Sequence, residues 1–286
     1  MNIRSVSIIV PTLGDSPFLS RCLDSLAKQE CDLPVEVVVV LNGPHRQAVD
    51  CQVPGVKITY EPKAGPAAAR NRGIRESSGD CVAFIDDDCI AAPQWLSAAL
   101  DRLRKDGADQ IVAGSITRSG ARHNWISFFD SVNYLQQENY VKYSGACVTA
   151  NIIMHRATFE RVGPFDETFQ EAACEDWEWA GRARRQSVPI VFDASAAVDH
   201  PCMRRLRQLK HKAQRLGRGE LMLKARTNPG ASPPQLLSEI VRQIKRAKAP
   251  RNLGLGDRLV LYFLGTLVAF WMWDAAHRLQ TGHNGG

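Results

Sequence analysis

Cys81-Val82-Ala83-Phe84-Ile85-Asp86-Asp87-Asp88 decides the fold: five apolar residues run straight into three carboxylates. An uninterrupted apolar run of this length, closed by polar residues, reads as a strand buried on both faces of a parallel sheet. Open α/β sheets bind ligands outside the carboxyl ends of their strands, so the three Asp residues stand where a ligand is expected. If the segment stays extended, Asp86 and Asp88 face one site together. Hard cations such as Mg2+ or Mn2+ take carboxylate oxygens and bridge them to phosphate oxygens. The competing reading is a solvated acidic turn, which three mutually repelling carboxylates at the end of an apolar strand make the weaker of the two.

Upstream, Val6 to Val10 is a β-branched strand ended by Pro11, and Ser16-Pro17 offers a helix start. Leu19, Cys22, Leu23 and Leu26 follow at helical spacing. Val35 to Leu41 is a second strand, closed by Asn42-Gly43-Pro44, and Val56 to Tyr60 is a third. Gly65-Pro66 opens a helix that Ser77-Ser78-Gly79 ends. The first ninety residues thus read strand, helix, strand, strand, helix, strand. That order implies an α/β fold, with an open, mostly parallel central sheet and helices on both faces. Downstream, Pro93 to Lys105 reads as a helix and Gln110 to Ile116 as a strand, while the pattern weakens from Ser119 to Gly145. Val148 to His155, Arg156 to Arg161 and Val188 to Phe192 restore it.

The 286 residues suffice for one full core and an appendage. With 44% hydrophobic and 23% charged residues the chain is globular. Its net charge of +6 is unevenly spread: residues 203–286 hold 16 Lys and Arg against 4 Asp and Glu, leaving 20 against 26 before them. We therefore expect a catalytic domain over 1–202 and a basic helical, membrane-associating region over 203–286. The eight cysteines, with no CxxC pair, suggest reduced thiols, neither a zinc site nor a disulfide scaffold. Met1 to Pro11 is too short for a signal peptide and reads as a first buried strand.

Other segments offer chemistry. Gly65 to Asn71 is a small-residue helix start with Arg70 one turn in, able to reach a phosphate or a carboxylate of the acidic run. A packing role is equally open there. Neither a Walker A loop nor a GxGxxG fingerprint is present, which argues against a P-loop NTPase and a dinucleotide dehydrogenase. Asp176, in Glu175-Asp176-Trp177, is a candidate general base, against the ordinary reading of an acidic first turn. His200 is either a third metal ligand or a loop histidine.

Taken in order, the motifs resemble the inverting GT-A glycosyltransferases of family 2, of the bacterial, membrane-associated type. The resemblance rests on Val6 to Thr12, Cys22 to Leu26, Glu36 to Val40, Gly65 to Gly73, Gly79 to Asp88, Gly163-Pro164-Phe165-Asp166-Glu167, Glu175 to Glu178 and His200. It implies the nucleotide-diphospho-sugar transferase fold, a UDP-, dTDP- or GDP-sugar donor and a divalent metal. Pro11 and Thr12 would border the nucleotide, Asp86 would lie near the ribose, and Asp88 would hold the metal with His200. Asp176 would deprotonate the acceptor hydroxyl. Asp87 is grouped with the nucleotide-sugar residues, although of the three it is the one expected to point elsewhere. Where many members carry an acidic residue after the second strand, Leu41-Asn42 stands here, so Asn42 is the base-facing candidate.

Met203 to Arg226 carries nine Lys or Arg with Leu206, Leu209, Ala213 and Leu216 as an interrupted apolar stripe, a pattern suited to anionic lipid surfaces. Arg242, Lys245, Arg246, Lys248 and Arg251 continue the charge beyond a Pro-rich break at 229–234. Leu259 to Trp273 is uncharged but shorter than a full span, which favours an interfacial or re-entrant helix over a spanning one, a docked helix being the alternative. No nucleic-acid-binding module accompanies the charge, so nucleic acid is not an expected partner. The expected activity is transfer to a lipid-linked or polysaccharide acceptor at the cytoplasmic membrane face. A non-catalytic nucleotide-sugar-binding subunit is the alternative. A nucleotidyltransferase ranks lower, because Thr12-Leu13-Gly14-Asp15 lacks the Gly-rich, Arg-containing loop such enzymes place after the first strand.

Overall fold

The structure is a computed structural model that describes residues 3–14, 16–43, 55–106, 109–246 and 253–282. Expectations that fall on Asp15, Pro44, Cys51, Lys248 and Arg251 lie outside these residues. Two compact units emerge: residues 1–117 with 137–200, and residues 118–136 with 201–286.

The first unit is built on β1 (Val6–Thr12), α1 (Leu19–Leu26), β2 (Val35–Asn42), β3 (Val56–Glu61), α2 (Pro66–Arg75), β4 (Cys81–Ile85), β5 (Ile90–Ala91) and α3 (Trp95–Asp106). It continues with β6 (Ile111–Ser119), and after α4 (Trp125–Asn133) with α5 (Gln137–Ser144), β7 (Asn151–His155), α6 (Arg156–Val162), α7 (Glu175–Arg185) and β8 (Ile190–Pro201). One sheet runs in the order β3-β2-β1-β4-β7-β6-β8-β5. It is mixed. β3, β2, β1 and β4 form a parallel block, whereas β7 is antiparallel to both β4 and β6. The parallel block puts the carboxyl ends of β1, β2 and β4 on the same side, at Thr12, Asn42 and Asp86.

Every residue of β4 is fully buried, which at about 1.5–3 kcal/mol per large apolar side chain anchors the strand that carries the acidic run. Phe84 packs edge-on against Phe165 at 5.4 Å and near Phe159 at 5.8 Å, and Phe159 stacks on Trp179. This aromatic cluster fixes α7 against the sheet, and Trp179 Nε1 donates to Gly163 O at 2.8 Å. On the other side of β7, fully buried Asn151 accepts from Trp95 Nε1 and donates to Ser115 O and Ala196 O. Gly114 is needed beside it, because a Cβ there would stand 2.0 Å from Ala196 O.

Three expectations change. The last strand, expected over Val188 to Phe192, is the twelve-residue β8, because its second half pairs with the two-residue β5, an element too short to show any period. The weakly patterned stretch from Ser119 to Gly145 is two helices, α4 and α5; α4 starts at the capping box of Asn124 and Ser127. The uncharged run 259–273 is the middle of a longer helix, because charged residues at 257, 258, 274 and 278 are accommodated at its ends.

That helix is α10 (Leu255–Thr281) of the second unit, with α8 (Leu206–Thr227) and α9 (Leu236–Arg246) before it. Of the expected stripe on α8, Leu209 and Ala213 are buried and Leu216 packs against them, but Leu206 is exposed, and the seam continues through Gly217 and Leu221. At Gly217 a Cβ would lie 2.1 Å from Met272 O, so the close crossing of α8 and α10 requires glycine. Leu261, Leu264, Val268 and Met272 form the buried face of α10 with Phe129, Leu209 and Ala213. Leu255, Leu259, Phe263 and Phe270 are exposed, and at about 100° per residue they share one side of the helix, opposite that face. At 27 residues α10 is long and apolar enough to cross a membrane by length and composition. A helix apolar on both its packed and its open side is consistent with peripheral or monotopic membrane association.

Candidate functional site

The acidic run is not extended. Cys89 N donates to Asp86 O at 3.0 Å, closing a turn in which the three carboxylates diverge instead of Asp86 and Asp88 sharing a side. The reason is the immediate reversal into β5, which leaves no room for a further extended residue. Each carboxylate meets a different element. Arg70 Nη2 of α2 donates to Asp86 Oδ1 at 3.1 Å. Thr12 Oγ1, at the carboxyl end of β1, donates to Asp87 Oδ2 at 2.5 Å and accepts from Gly14 N. His200 Nε2 of β8 lies 3.3 Å from Asp88 Oδ1.

His200 reaches Asp88 through sheet register. β5 and β8 run antiparallel with Ile90 opposite Asp199 and Ala91 opposite Val198, so one step further His200 comes level with the turn. Donor atoms of Asp88, Cys89 and His200 all lie within 4.8 Å of one another. Cys89 was not foreseen, since nothing but the β5–β8 pairing distinguishes it from the other cysteines. Burial, with Asp86 and Asp88 nearby, pushes its thiol well above the ordinary range, so it stands as a neutral thiol, a poor ligand for a hard cation. Seven cysteines among the described residues are free.

Arg70, 4% exposed, donates Nη1 to Glu175 Oε1 at 2.8 Å as well as Nη2 to Asp86. Burial works against its charge, but Asp86 and Glu175 outweigh it and hold the pKa above the ordinary value. The guanidinium therefore ties α2 and the acidic turn to the start of α7. Glu175, 4% exposed, is a second residue the sequence did not single out; an acidic first turn hides which carboxylate points inward. Asp176 is next to it, half-buried, with Trp177 N donating to Oδ1 at 2.8 Å. Burial first, then the Glu175 charge, push the Asp176 carboxyl up, while Arg70 pulls it back. Asp86 also acts on it, which puts Asp176 within the electrostatic reach of the acidic turn. Asp87 is raised to about 6, by burial and by Asp88 and Asp86, against the opposing hydrogen bond from Thr12.

The start of α7 is held in place with some strain. Cys174 precedes it at φ 68°, a left-handed conformation uncommon outside glycine. Asn71 of α2 exchanges hydrogen bonds with the backbone of Phe165, donating to its O and accepting from its N at 2.9 Å. Gly65, at φ +113°, lets the start of α2 approach the next segment: a Cβ there would lie 2.8 Å from Gln170 Cα.

Pro11 and Thr12 end β1, opposite Val40 and Leu41 of β2. Asn42 ends β2, and its amide is engaged with backbone: Nδ2 donates to Glu61 O and Lys63 O, and Oδ1 accepts from Gly65 N. Asp86, Asp87, Asp88, Arg70, Thr12 and His200 are brought into one connected cluster, and Asp176 borders it through Glu175. Carboxylates outnumber cations there, a balance that favours binding a divalent cation.

Residues 7–163 match the family described as Glycosyl transferase family 2. The glycosyltransferase AglE of Haloferax volcanii is 26% identical over 227 residues, which cover 76% of this chain and 73% of AglE. Among solved structures, the mannosyltransferase PcManGT from Pyrobaculum calidifontis, in complex with GDP-Man and Mn2+, aligns over 98% of this chain and 76% of its own, with TM-score 0.54 and 17% identity. GalNAc-T7 with UDP, GalNAc and Mn2+ aligns over 99% of this chain and 58% of its own, with TM-score 0.55 and 13% identity. At such identities the likeness is one of fold, and the fold is GT-A-like.

Proposed function

This chain belongs to glycosyl transferase family 2, and from that premise we propose that it is a metal-dependent, inverting transferase. In this reading it moves a sugar from a UDP-, dTDP- or GDP-sugar to a hydroxyl of a lipid-linked or polysaccharide acceptor. The observation that carries the reading is the turn at the end of β4, whose three carboxylates are each held by a separate element.

The donor set suits the metal. An Asp88 carboxylate oxygen and the His200 imidazole nitrogen, 30% and 17% exposed, would hold a Mg2+ or Mn2+ ion. Bound there, such an ion neutralises the charge that builds on the leaving diphosphate. Asp86, steadied by Arg70, takes the ribose side and Pro11, Thr12 and Asp87 line the nucleotide side. Asn42, its amide engaged with the backbone of Glu61, Lys63 and Gly65, shapes that side without offering its amide to the base. Asp176 accepts the proton of the acceptor hydroxyl as that oxygen bonds to the anomeric carbon and the bond to the diphosphate oxygen breaks. One displacement inverts the configuration. Its raised pKa makes Asp176 a stronger base than an ordinary carboxylate while leaving it ionised at alkaline pH.

We assign catalysis to residues 1–202 and membrane association to 203–286, at the cytoplasmic face. The open apolar side of α10 and the cations of α8 support this, since apolar area and attraction to anionic lipid act together at an interface. A melting screen of UDP-, dTDP- and GDP-sugars with and without Mn2+ tests the reading. One donor should raise the melting temperature in a Mn2+-dependent way and then be hydrolysed or transferred. Binding without any turnover would leave a binding subunit instead.

A further inference from the structure

In the second unit, Asp130 is fully buried and Arg118, 7% exposed, donates to its Oδ2 through Nη2. Met203 N donates to the same oxygen at 3.0 Å. Lys212 Nζ stands 3.6 Å from Oδ1 and 4.3 Å from the centroid of the Tyr134 ring. Arg215 acts on Lys212 as a further nearby cation. Two cations thus face one carboxylate, with a third beside Lys212.

Among the described residues, three other carboxylates of the unit are engaged by other cations. Arg118 Nε and Nη1 and Arg215 Nε are buried without a hydrogen-bond partner. Residues 118–136 and 201–286 contain 18 Lys and Arg and only five acidic residues. Glu220 and Glu239 are engaged by Arg242, and Asp274 by Arg278. Arg118 is buried, while Lys212 and Arg215 are partly exposed, and cations gathered beyond the number of nearby carboxylates favour an added anion. Burial lowers the Lys212 pKa, and Arg118 and Arg215 add to this against the pull of Asp130.

We infer that Arg118, Lys212 and Arg215 form a binding site for a phosphoryl dianion, a phosphate monoester or diphosphate group. The chemistry selects the ligand. Guanidinium groups offer paired N–H donors that match phosphate oxygens, and an ammonium adds a point charge. Two negative charges offset the two cations in excess of Asp130.

The test uses the full-length protein and reads melting temperature at constant ionic strength, with chloride as the reference salt. Inorganic phosphate and pyrophosphate form one arm. Phosphatidylcholine vesicles with and without phosphatidic acid form the other. We expect a rise of at least about 3 °C over the reference in one arm or both. A response to phosphatidic acid alone identifies a lipid headgroup as the source; a response to the free anions identifies soluble phosphoryl groups. Lys212→Met and Arg215→Gln, checked for folding by circular dichroism, should each weaken the response about tenfold or more. Arg104→Gln, at an exposed position on α3 of the first unit, should leave it unchanged. No rise in the wild type, or a rise that persists in both site variants because the anion binds elsewhere, overturns the inference. The readout needs no sugar donor, so loss of transfer with this response intact counts against the functional reading alone.

Discussion

His200 Nε2 stands 3.3 Å from Asp88 Oδ1, across a strand pairing that joins residues more than a hundred positions apart. Two donors on separate elements, brought together by register, are a defined pair for a cation. His200→Ala and Asp88→Asn should each lower Mn2+ affinity by about tenfold to a hundredfold, measured by calorimetry or by the electron spin resonance of free Mn2+. Cys89→Ala should change it by less than either. A larger loss in the Cys89 variant would make the thiolate a ligand.

Asp176→Asn should reduce kcat by about 10^2–10^4 while the protein stays folded. Because burial and Glu175 disfavour the Asp176 charge, the variant should melt no lower than the wild type at neutral pH. Normal turnover in this variant would remove Asp176 as the base.

Asp87 makes stability depend on pH with a definite sign. Its folded pKa, about 6, is above the ordinary carboxylate value, so between about pH 4 and 6 the folded state holds more protons than the unfolded one. Its contribution to stability falls as pH rises through that window. Asp87→Asn removes this loss: relative to wild type, its melting temperature should be higher at pH 7 than at pH 4. Parallel melting curves across pH 4–7 would contradict the assignment.

Arg70→Met should destabilise by about 3–5 kcal/mol in urea unfolding, because it leaves Glu175 charged and buried. The double variant with Glu175→Gln should recover a measurable part of that loss. Arg70→Lys should fall between, since its single nitrogen cannot span the two acceptors that Nη1 and Nη2 of the guanidinium reach separately at Glu175 and Asp86.

How far the site was legible follows from which contacts are local. β4 and its acidic end were plain, because a five-residue apolar run is a local signal. Arg70 was visible as a cation one turn into a helix, and its carboxylate partner in the acidic run was among the readings offered. The turn that splays the three carboxylates was not, because it is set by β5, a strand of two residues with no period to detect. Thr12 was placed at the nucleotide, but its hydrogen bond to Asp87 depends on β1 and β4 lying side by side. Cys89 and Glu175 escaped for the same reason: their significance arises only from what the sheet and α7 bring against them. In the second unit, the α8 stripe held at Leu209, Ala213 and Leu216 and failed at Leu206, while Gly217 joined the seam because α10 crosses closely there.

The brevity of β5 has a kinetic consequence. A clasp secured by two register pairs and the Ala92 N–H donating to Ala197 O at 3.0 Å can open locally far more often than the sheet interior. Each opening would separate His200 from Asp88, so fraying of this one edge would set how fast a cation leaves. Hydrogen exchange at the Ala92 amide should therefore slow when Mn2+ is added, while amides within β4 stay unaffected.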